Sequence, residues 1–187
     1  KGRLRKMSTT YLFGEKTKEV LYRENDCVFR FNVDNTYFSP RLSNERKELA
    51  EEIEEYAKKN SKVLVMFSGV GPYPVVIAKK CKNCFVHSVE INRIATEYAL
   101  MNTKLNNLKN LEVTQGDVKR IIPKFIVSGL KFDFILMPRP QLKDNFLKQA
   151  FQLAKHGTRI YYYDFCNIKD MPKVVQMIQA EALKNKK

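Results

Sequence analysis

The stretch from residue 63 to 92, VLVMFSGVGPYPVVIAKKCKNCFVHSVEIN, limits the fold more than any other part of the chain. Residues 63–67 form an apolar run too short for a helix and read as a buried strand. Ser68-Gly69-Val70-Gly71-Pro72 is a tight turn, 74–80 a short helix, and 85–89 a second apolar strand that ends on Glu90. Strand, helix and strand in that order make a parallel, right-handed pair. Gly69 and Gly71 carry no β-carbon, so backbone there can approach a ligand closely. Glu90, about 20 residues beyond the turn, stands where an acid accepts both hydroxyls of a ribose.

The same alternation continues. Strands are expected near residues 63, 85, 111, 132 and 158, with helices over 94–105, 120–128, 145–154 and 171–185. Gly157 is expected to cap the third of these helices. The pattern is an α/β, doubly wound, mainly parallel sheet of Rossmann-like type. Ahead of it, residues 18–22 and 28–33 alternate around Glu24-Asn25-Asp26 and read as a β-hairpin. Pro40 breaks the chain. Ser43 or Asn44 then caps a helix through residue 57, with Leu49, Ile53, Tyr56 and Ala57 as its apolar stripe. Residues 1–36 read as a basic linker and hairpin segment, and 37–187 as the main domain. The first residue is Lys1, with no methionine or leader-like run, which reads as a piece of a longer protein. No apolar run approaches the length of a membrane span.

The formal charge of +14 points to a polyanionic partner, most simply nucleic acid; the bland alternative is solubility aided by a lysine-rich tail. Cys81 and Cys84 form a C-x-x-C, but two further ligands at zinc spacing are lacking, so no metal site is expected. The pair falls where a helix ends, whereas redox pairs open one, so buried thiols in a reducing compartment are expected, with a disulfide as the lesser alternative.

Three strands end in polar or breaker groups: Glu90, Asp117 and the segment Met137-Pro138-Arg139-Pro140. In a parallel sheet all three gather at one edge with the glycine turn. Asp117 can accept from an adenine amino group while Val118 offers its backbone amide. No Lys-Ser/Thr follows the glycines, which excludes a phosphate loop of the nucleotide hydrolases. Tyr73-Pro74 stands where a dinucleotide fold has its third glycine. A nucleoside cofactor without a pyrophosphate fits, and S-adenosylmethionine is such a cofactor.

Tyr37-Phe38-Ser39-Pro40-Arg41-Leu42, Asn44-Glu45-Arg46, the turn from Met66 to Pro72, Glu90-Ile91-Asn92, Gly116-Asp117-Val118 and residues 161–165 come in a familiar order. From about Arg5 to Phe165 the chain resembles the archaeal and eukaryotic tRNA guanine-N1 methyltransferases acting at position 37. The FSPRL–NER block is the specific part. The resemblance implies a class I methyltransferase fold, S-adenosylmethionine as cofactor, and the tRNA anticodon loop as partner. It implies Glu45 as general base for the N1 proton and Arg5 as stabiliser of charge on guanine O6. Tyr37 and Phe38 match positions lining the cofactor pocket, and Arg41 and Arg46 are placed to orient cofactor or base. Phe67, Gly69, Gly71, Glu90, Ile91, Asn92, Asp117, Val118 and Pro138 complete the expected cofactor set. Arg3, Arg41, Pro138, Arg139 and Pro140 are the expected RNA contacts. A cytoplasmic monomer is expected.

Other readings of the same residues are blander. Glu45 can serve a helix N-terminus, Arg41 a surface ion pair, and Tyr161-Tyr162-Tyr163 simple strand packing. Two departures from the family stand out. Val65 occupies the place of an acid, and Pro138-Arg139-Pro140-Gln141 replaces a loop usually reading Asn-x-Pro-Lys. An altered pocket there suits the archaeal members that also methylate a tricyclic wyosine precursor. Aminocarboxypropyl transfer to that precursor and a non-catalytic RNA-binding role are the competing readings. Family members also carry an N-terminal RNA-docking domain and a closing hairpin, neither visible in this sequence.

Overall fold

The computed structural model describes residues 7–139 and 144–185, so Arg3, Arg5, Pro140 and Gln141 lie outside the described residues. The hairpin comes first: β1 (Glu19–Glu24) pairs antiparallel with β2 (Cys27–Asn32). Its two-residue turn holds Asn25 and Asp26 at φ 48° and 56°. Asn and Asp tolerate that left-handed geometry, and it matches the twist of the paired strands.

A 3-10 turn, Pro40–Leu42, leads straight into α1 (Ser43–Tyr56). Neither Ser43 nor Asn44 caps this helix, because the 3-10 turn already occupies the place of a cap. The Ser43 amide bonds back to Pro40 O, and Asn44 Nδ2 instead donates to Glu48 at 2.6 Å. The buried stripe is Arg46, Leu49, Ala50 and Ile53. Tyr56, expected inward, is exposed and lies 3.4 Å beneath the Arg159 guanidinium. Ala57 falls just past the helix end, in extended backbone.

The remaining order is β3 (Ser61–Met66), α2 (Pro72–Lys80), β4 (Cys84–Glu90), α3 (Arg93–Leu105), β5 (Leu111–Gln115), α4 (Val118–Val127), β6 (Phe132–Met137), α5 (Leu147–Leu153), β7 (Ala154–Tyr162) and α6 (Met171–Lys184). The sheet runs β5-β4-β3-β6-β7, and every neighbouring pair is parallel. This is the doubly wound sheet expected. The chain goes outward from β3 to β5, then returns to the other side of β3 as β6. A crevice opens where the winding reverses, at the carboxyl ends of β3 and β6.

Odd and even residues of β3 and β6 feed two cores. Val63, Val65, Phe134 and Leu136 face the hairpin, α1, α2 and α3, whereas Leu64, Met66, Ile135 and Met137 face α4, α5 and α6. Helix α4 begins at Val118, ahead of the expected start, because Asp117 caps it by accepting from Lys119 N at 2.9 Å. At the other end of the sheet, Gly157 does not cap α5. It lies within β7, at φ 81°, and the strand begins at Ala154. Thr158 Oγ1 steadies this irregular start, donating to Phe132 O at 2.6 Å and accepting from Lys155 N at 2.9 Å.

Cys81 and Cys84 are buried as expected, but they are joined as a disulfide, not held as thiols, with sulfurs 2.19 Å apart. The Cys84 amide turns back onto Cys81 O at 3.3 Å, bringing the Cα atoms to 5.5 Å, a separation a disulfide spans. Among the described residues no group of three or more His, Cys, Asp or Glu could hold a metal ion. No helix among them is long and apolar enough to cross a membrane.

Two devices bind the hairpin to the sheet domain. Arg46 donates from Nε and Nη2 to the two oxygens of Glu24, at 2.5 and 2.6 Å, and both side chains are 2% exposed or less. Along the outer edge of β2, Asn106 exchanges both its amide bonds with Val28 and Asn102 does the same with Arg30, at 2.7 to 3.2 Å. One helical turn of four residues rises about 6 Å, and two strand residues about 6.7 Å, so the two asparagines act as a short mock strand.

Glu24→Ala leaves the Arg46 guanidinium buried without its counter-ion. Loss of one partner of such a pair costs about 3–5 kcal/mol, so the thermal midpoint is expected to fall by roughly 6–20 °C. Scanning calorimetry of the wild-type and variant chains reads this directly.

Candidate functional site

A cavity of about 560 Å³ opens at the crevice. Its floor is the turn after β3, its sides are the ends of β4, β6 and β7, and its fourth wall is the segment between the hairpin and α1. Lining residues from the expected set are Tyr37, Phe38, Arg46, Phe67, Gly69, Glu90, Asn92, Pro138 and Arg139. The volume lies within the range of small-molecule sites.

The turn after β3 needs unusual backbone. Phe67, Gly69 and Gly71 all have positive φ, at 58°, 58° and 88°. For glycine this is ordinary. For a residue as bulky as Phe67 it is uncommon, and such geometry clusters at functional sites. Phe67 is held by edge-on packing against Phe146, with ring centres 5.0 Å apart. Gly71 stands at the N-cap of α2, where a β-carbon would sit 3.4 Å from Ala99 Cβ. Gly71 therefore serves close packing of α2 on α3, while Gly69 faces the cavity.

Glu90 organises the turn. Its Oε2 accepts from Gly69 N at 2.8 Å and its Oε1 from Asn92 N at 2.7 Å. Each oxygen retains a further lone pair. Asn92 caps α3 through Ile94 N and donates to Asn35 O at 3.0 Å, which ties the strand end to the exit of the hairpin. Ser68 Oγ is buried in the cavity wall with no hydrogen-bond partner among the described residues. A buried orphan hydroxyl beside a glycine turn is a ready contact for a polar ligand.

Glu45, in the first turn of α1, borders this space. Tyr73 donates its hydroxyl to Glu45 Oε2, and Tyr163 donates to Oε1; both tyrosines line the cavity. Their rings meet edge-on at 6.1 Å. Burial, and next the bond to Glu45, push both phenols above their ordinary range. Both therefore stay protonated donors at neutral pH. Arg46, read from the sequence as an orienting group for cofactor or base, has its guanidinium engaged by Glu24 and by Ser39 O at 3.0 Å. It lies 5.2 Å from the Phe38 ring centre and 5.7 Å from that of Tyr73.

Some expected residues sit away from the cavity lining. Arg41 is exposed on the 3-10 turn. Val118 packs its side chain into the core beneath α4, and Ile91 O accepts from Gln115 Nε2 at 3.4 Å. Asp117 caps α4 next to β4's end. Conversely, Ser68, Tyr73, Tyr163 and Phe165 line the cavity and had not been singled out as site residues. The sequence reads Tyr161-Tyr162-Tyr163 as strand packing. Tyr161 and Tyr162 do pack on opposite cores, but β7 ends at Tyr162, and Tyr163 turns to Glu45. The sequence carries no local signal for this, because nothing in residues 161–165 marks where the strand stops.

The chain matches known proteins over nearly its whole length. A family model described as the TRM5/TYW2 methyltransferase domain covers residues 20–187. The tRNA (guanine(37)-N(1))/4-demethylwyosine(37)-methyltransferase Taw22 of Nanoarchaeum equitans is 33% identical, over 89% of this chain and 70% of that protein. The structure of aTrm5 in complex with tRNALeu superposes with a TM-score of 0.82 at 27% identity, over 96% of this chain and 50% of that one. Methanocaldococcus jannaschii TYW2 in complex with AdoMet superposes at 0.78 with 26% identity, over 94% and 76%. The chain spans about half the length of other curated relatives it matches. The glycine turn, the strand-end acid and a carboxylate held by two cavity-lining tyrosines thus sit in a chain that belongs to the TRM5/TYW2 methyltransferase domain family.

Proposed function

We propose that this chain is the catalytic part of an S-adenosylmethionine-dependent tRNA methyltransferase that methylates N1 of guanosine 37, with Glu45 as general base. The observation that carries the reading is the Glu45 carboxylate, fixed by the hydroxyls of Tyr73 and Tyr163, two residues that line a nucleoside-sized cavity together with the cofactor-type turn. In this reading residues 37–187 form the catalytic domain and 1–36 a basic linker and hairpin, acting as a monomer in the cytoplasm.

The cavity suits the cofactor. Gly69 admits it closely, Glu90 and Asn92 face its ribose, Ser68 offers an unpaired hydroxyl, and Tyr37 and Phe38 supply apolar wall. When bound, S-adenosylmethionine supplies a methyl group on a sulfonium, which needs no acid or metal to leave. The protein's task is alignment and proton removal. Guanine N1 carries a proton at neutral pH. Glu45 accepts it as the nitrogen lone pair is committed to the new bond. Arg5 balances the charge that moves to O6, and Arg3 and Arg41 contact the RNA backbone. The target nucleotide leaves its stack to reach the cavity, against Pro138, Arg139 and Pro140.

A second reading keeps the cofactor and changes the acceptor. The name of the Nanoarchaeum relative includes the 4-demethylwyosine substrate, and a Methanocaldococcus jannaschii relative is named as an aminocarboxypropyltransferase acting on that base. Digestion of the product RNA and identification of the modified nucleoside separates these acceptors. A non-catalytic RNA-binding module would hold tRNA and transfer nothing.

Glu45→Gln is expected to bind S-adenosylmethionine as the wild type does, by calorimetric titration, and to lose about a hundredfold or more in transfer rate, the scale of general-base catalysis. Equal losses in binding and rate would put Glu45 in the cofactor site instead. Glu90→Ala is expected to weaken cofactor binding. It also removes charge-assisted bonds worth about 1.5–3 kcal/mol each, so exchange of the Gly69 and Asn92 amides, followed by NMR, is expected to quicken about tenfold or more.

A further inference from the structure

We propose that Tyr163 occupies, on Glu45 Oε1, the hydrogen-bonding place that the N–H of the target base must take, and that it yields this place when the base enters, while Tyr73 keeps Oε2 fixed throughout. This inference rests on the methyltransferase reading above and assigns separate tasks to the two tyrosines around its base.

The two hydroxyls contact the same carboxylate from unlike settings. Tyr73 lies in the first turn of α2, is 5% exposed, and belongs to the core shared by the hairpin, α1 and α2. Its ring also lies against the Arg46 guanidinium, which is itself locked to Glu24. Tyr73 therefore has little freedom to leave. Tyr163 follows the last residue of β7, is half-buried, and belongs to neither core. It stands beside Arg139 at the end of β6, on the side where a base would enter. Of the two, Tyr163 is the donor that can swing aside.

Each donor on a carboxylate is replaceable by another donor. An entering guanine brings N1–H to Oε1, so one hydrogen bond is exchanged for another. The proton on N1 then passes to Oε1 as the N1 lone pair forms the bond to the methyl carbon, and the carbon–sulfur electron pair stays on sulfur. Tyr163 neither gains nor loses a proton, in keeping with a phenol pushed upward by burial. A base with no proton at that nitrogen, such as adenine, offers no donor at N1 in exchange. Displacing Tyr163 would then leave a half-buried acceptor facing a lone pair. Tyr163 thus sets a threshold that an N–H donor crosses and an acceptor does not.

The test measures binding of a tRNA transcript with guanosine at position 37, and of the same transcript with adenosine there, to the 187-residue chain saturated with S-adenosylhomocysteine. Tyr163→Phe removes the competing hydroxyl. Affinity for the guanosine transcript is expected to rise about three- to tenfold, the worth of one hydrogen bond, and that for the adenosine transcript to rise with it while staying weaker, because neither base then has to displace the hydroxyl. The corresponding KM is expected to fall in transfer assays. Tyr73→Phe loosens the base and is expected to lower kcat about ten- to a hundredfold, leaving the preference for guanosine in binding intact. If Tyr163→Phe weakens guanosine binding, or lowers kcat as Tyr73→Phe does, the exchange role is overturned and Tyr163 is a second fixed support. A wild-type chain that neither prefers the guanosine transcript nor methylates it overturns the proposed function itself, and that result is read before any variant is made.

Discussion

The buried pair of Arg46 and Glu24 holds together the parts from which the cavity is made. Glu24 closes the hairpin, Arg46 faces inward from α1, Ser39 receives a third bond from the same guanidinium, and Phe38 and Tyr73 lie against its faces. Four pieces of chain, the hairpin, the segment after it, α1 and α2, meet at one planar cation. A guanidinium suits that place because its fork gives a carboxylate two parallel bonds, leaves N–H groups for a carbonyl, and offers flat faces to rings. Lysine would supply the charge without the fork or the faces.

Charge burial of this kind need not add net stability. Well-packed apolar residues often hold two layers as firmly. What they lack is direction. Ser39 lines the cavity and Arg46 directs a bond at its carbonyl, while the preceding helical residue is Glu45. Successive residues of a helix point about 100° apart. Locking Arg46 inward therefore aims Glu45 sideways, toward Tyr73 and Tyr163, and not into solvent. Glu45, the proposed base, is positioned by its neighbour's ion pair as much as by its own two bonds.

The sheet was legible because its signals are local. Short apolar runs at 63, 85, 111 and 132 need only strand length and turn residues to be recognised, and the structure differs by at most two residues at their ends. Less legible was what depends on distant partners. Arg46 breaks the apolar stripe of α1 when read alone; it becomes a core residue once Glu24, 22 positions earlier, is known to reach it. Asn102 and Asn106 look like polar residues on an amphipathic helix, and their role appears only beside β2, more than 70 residues away. Glu90 and the glycine turn were readable as a unit because β3 and β4 are adjacent and their ends coincide. Tyr163 was not, since nothing in YYYDF tells where the strand stops.

The same contrast separates the two halves of the site. The side proposed for the cofactor is built from strand ends of one rigid sheet, with the Glu90 carboxylate bridging backbone amides of two neighbouring connections. Little there needs to move. The side proposed for the target base combines α1, the first turn of α2 and the residues just past β7, joined to each other through side chains of Glu45, Tyr73 and Tyr163. Side-chain hydrogen bonds can be exchanged singly at a cost of about 1 kcal/mol, whereas moving a strand end breaks a ladder. In the proposed reading, a site arranged in this way holds one invariant cofactor on its rigid side and admits a bulky base on the other. It also leaves room for variation in acceptor, because the groups that meet the base are not the ones that keep the sheet together.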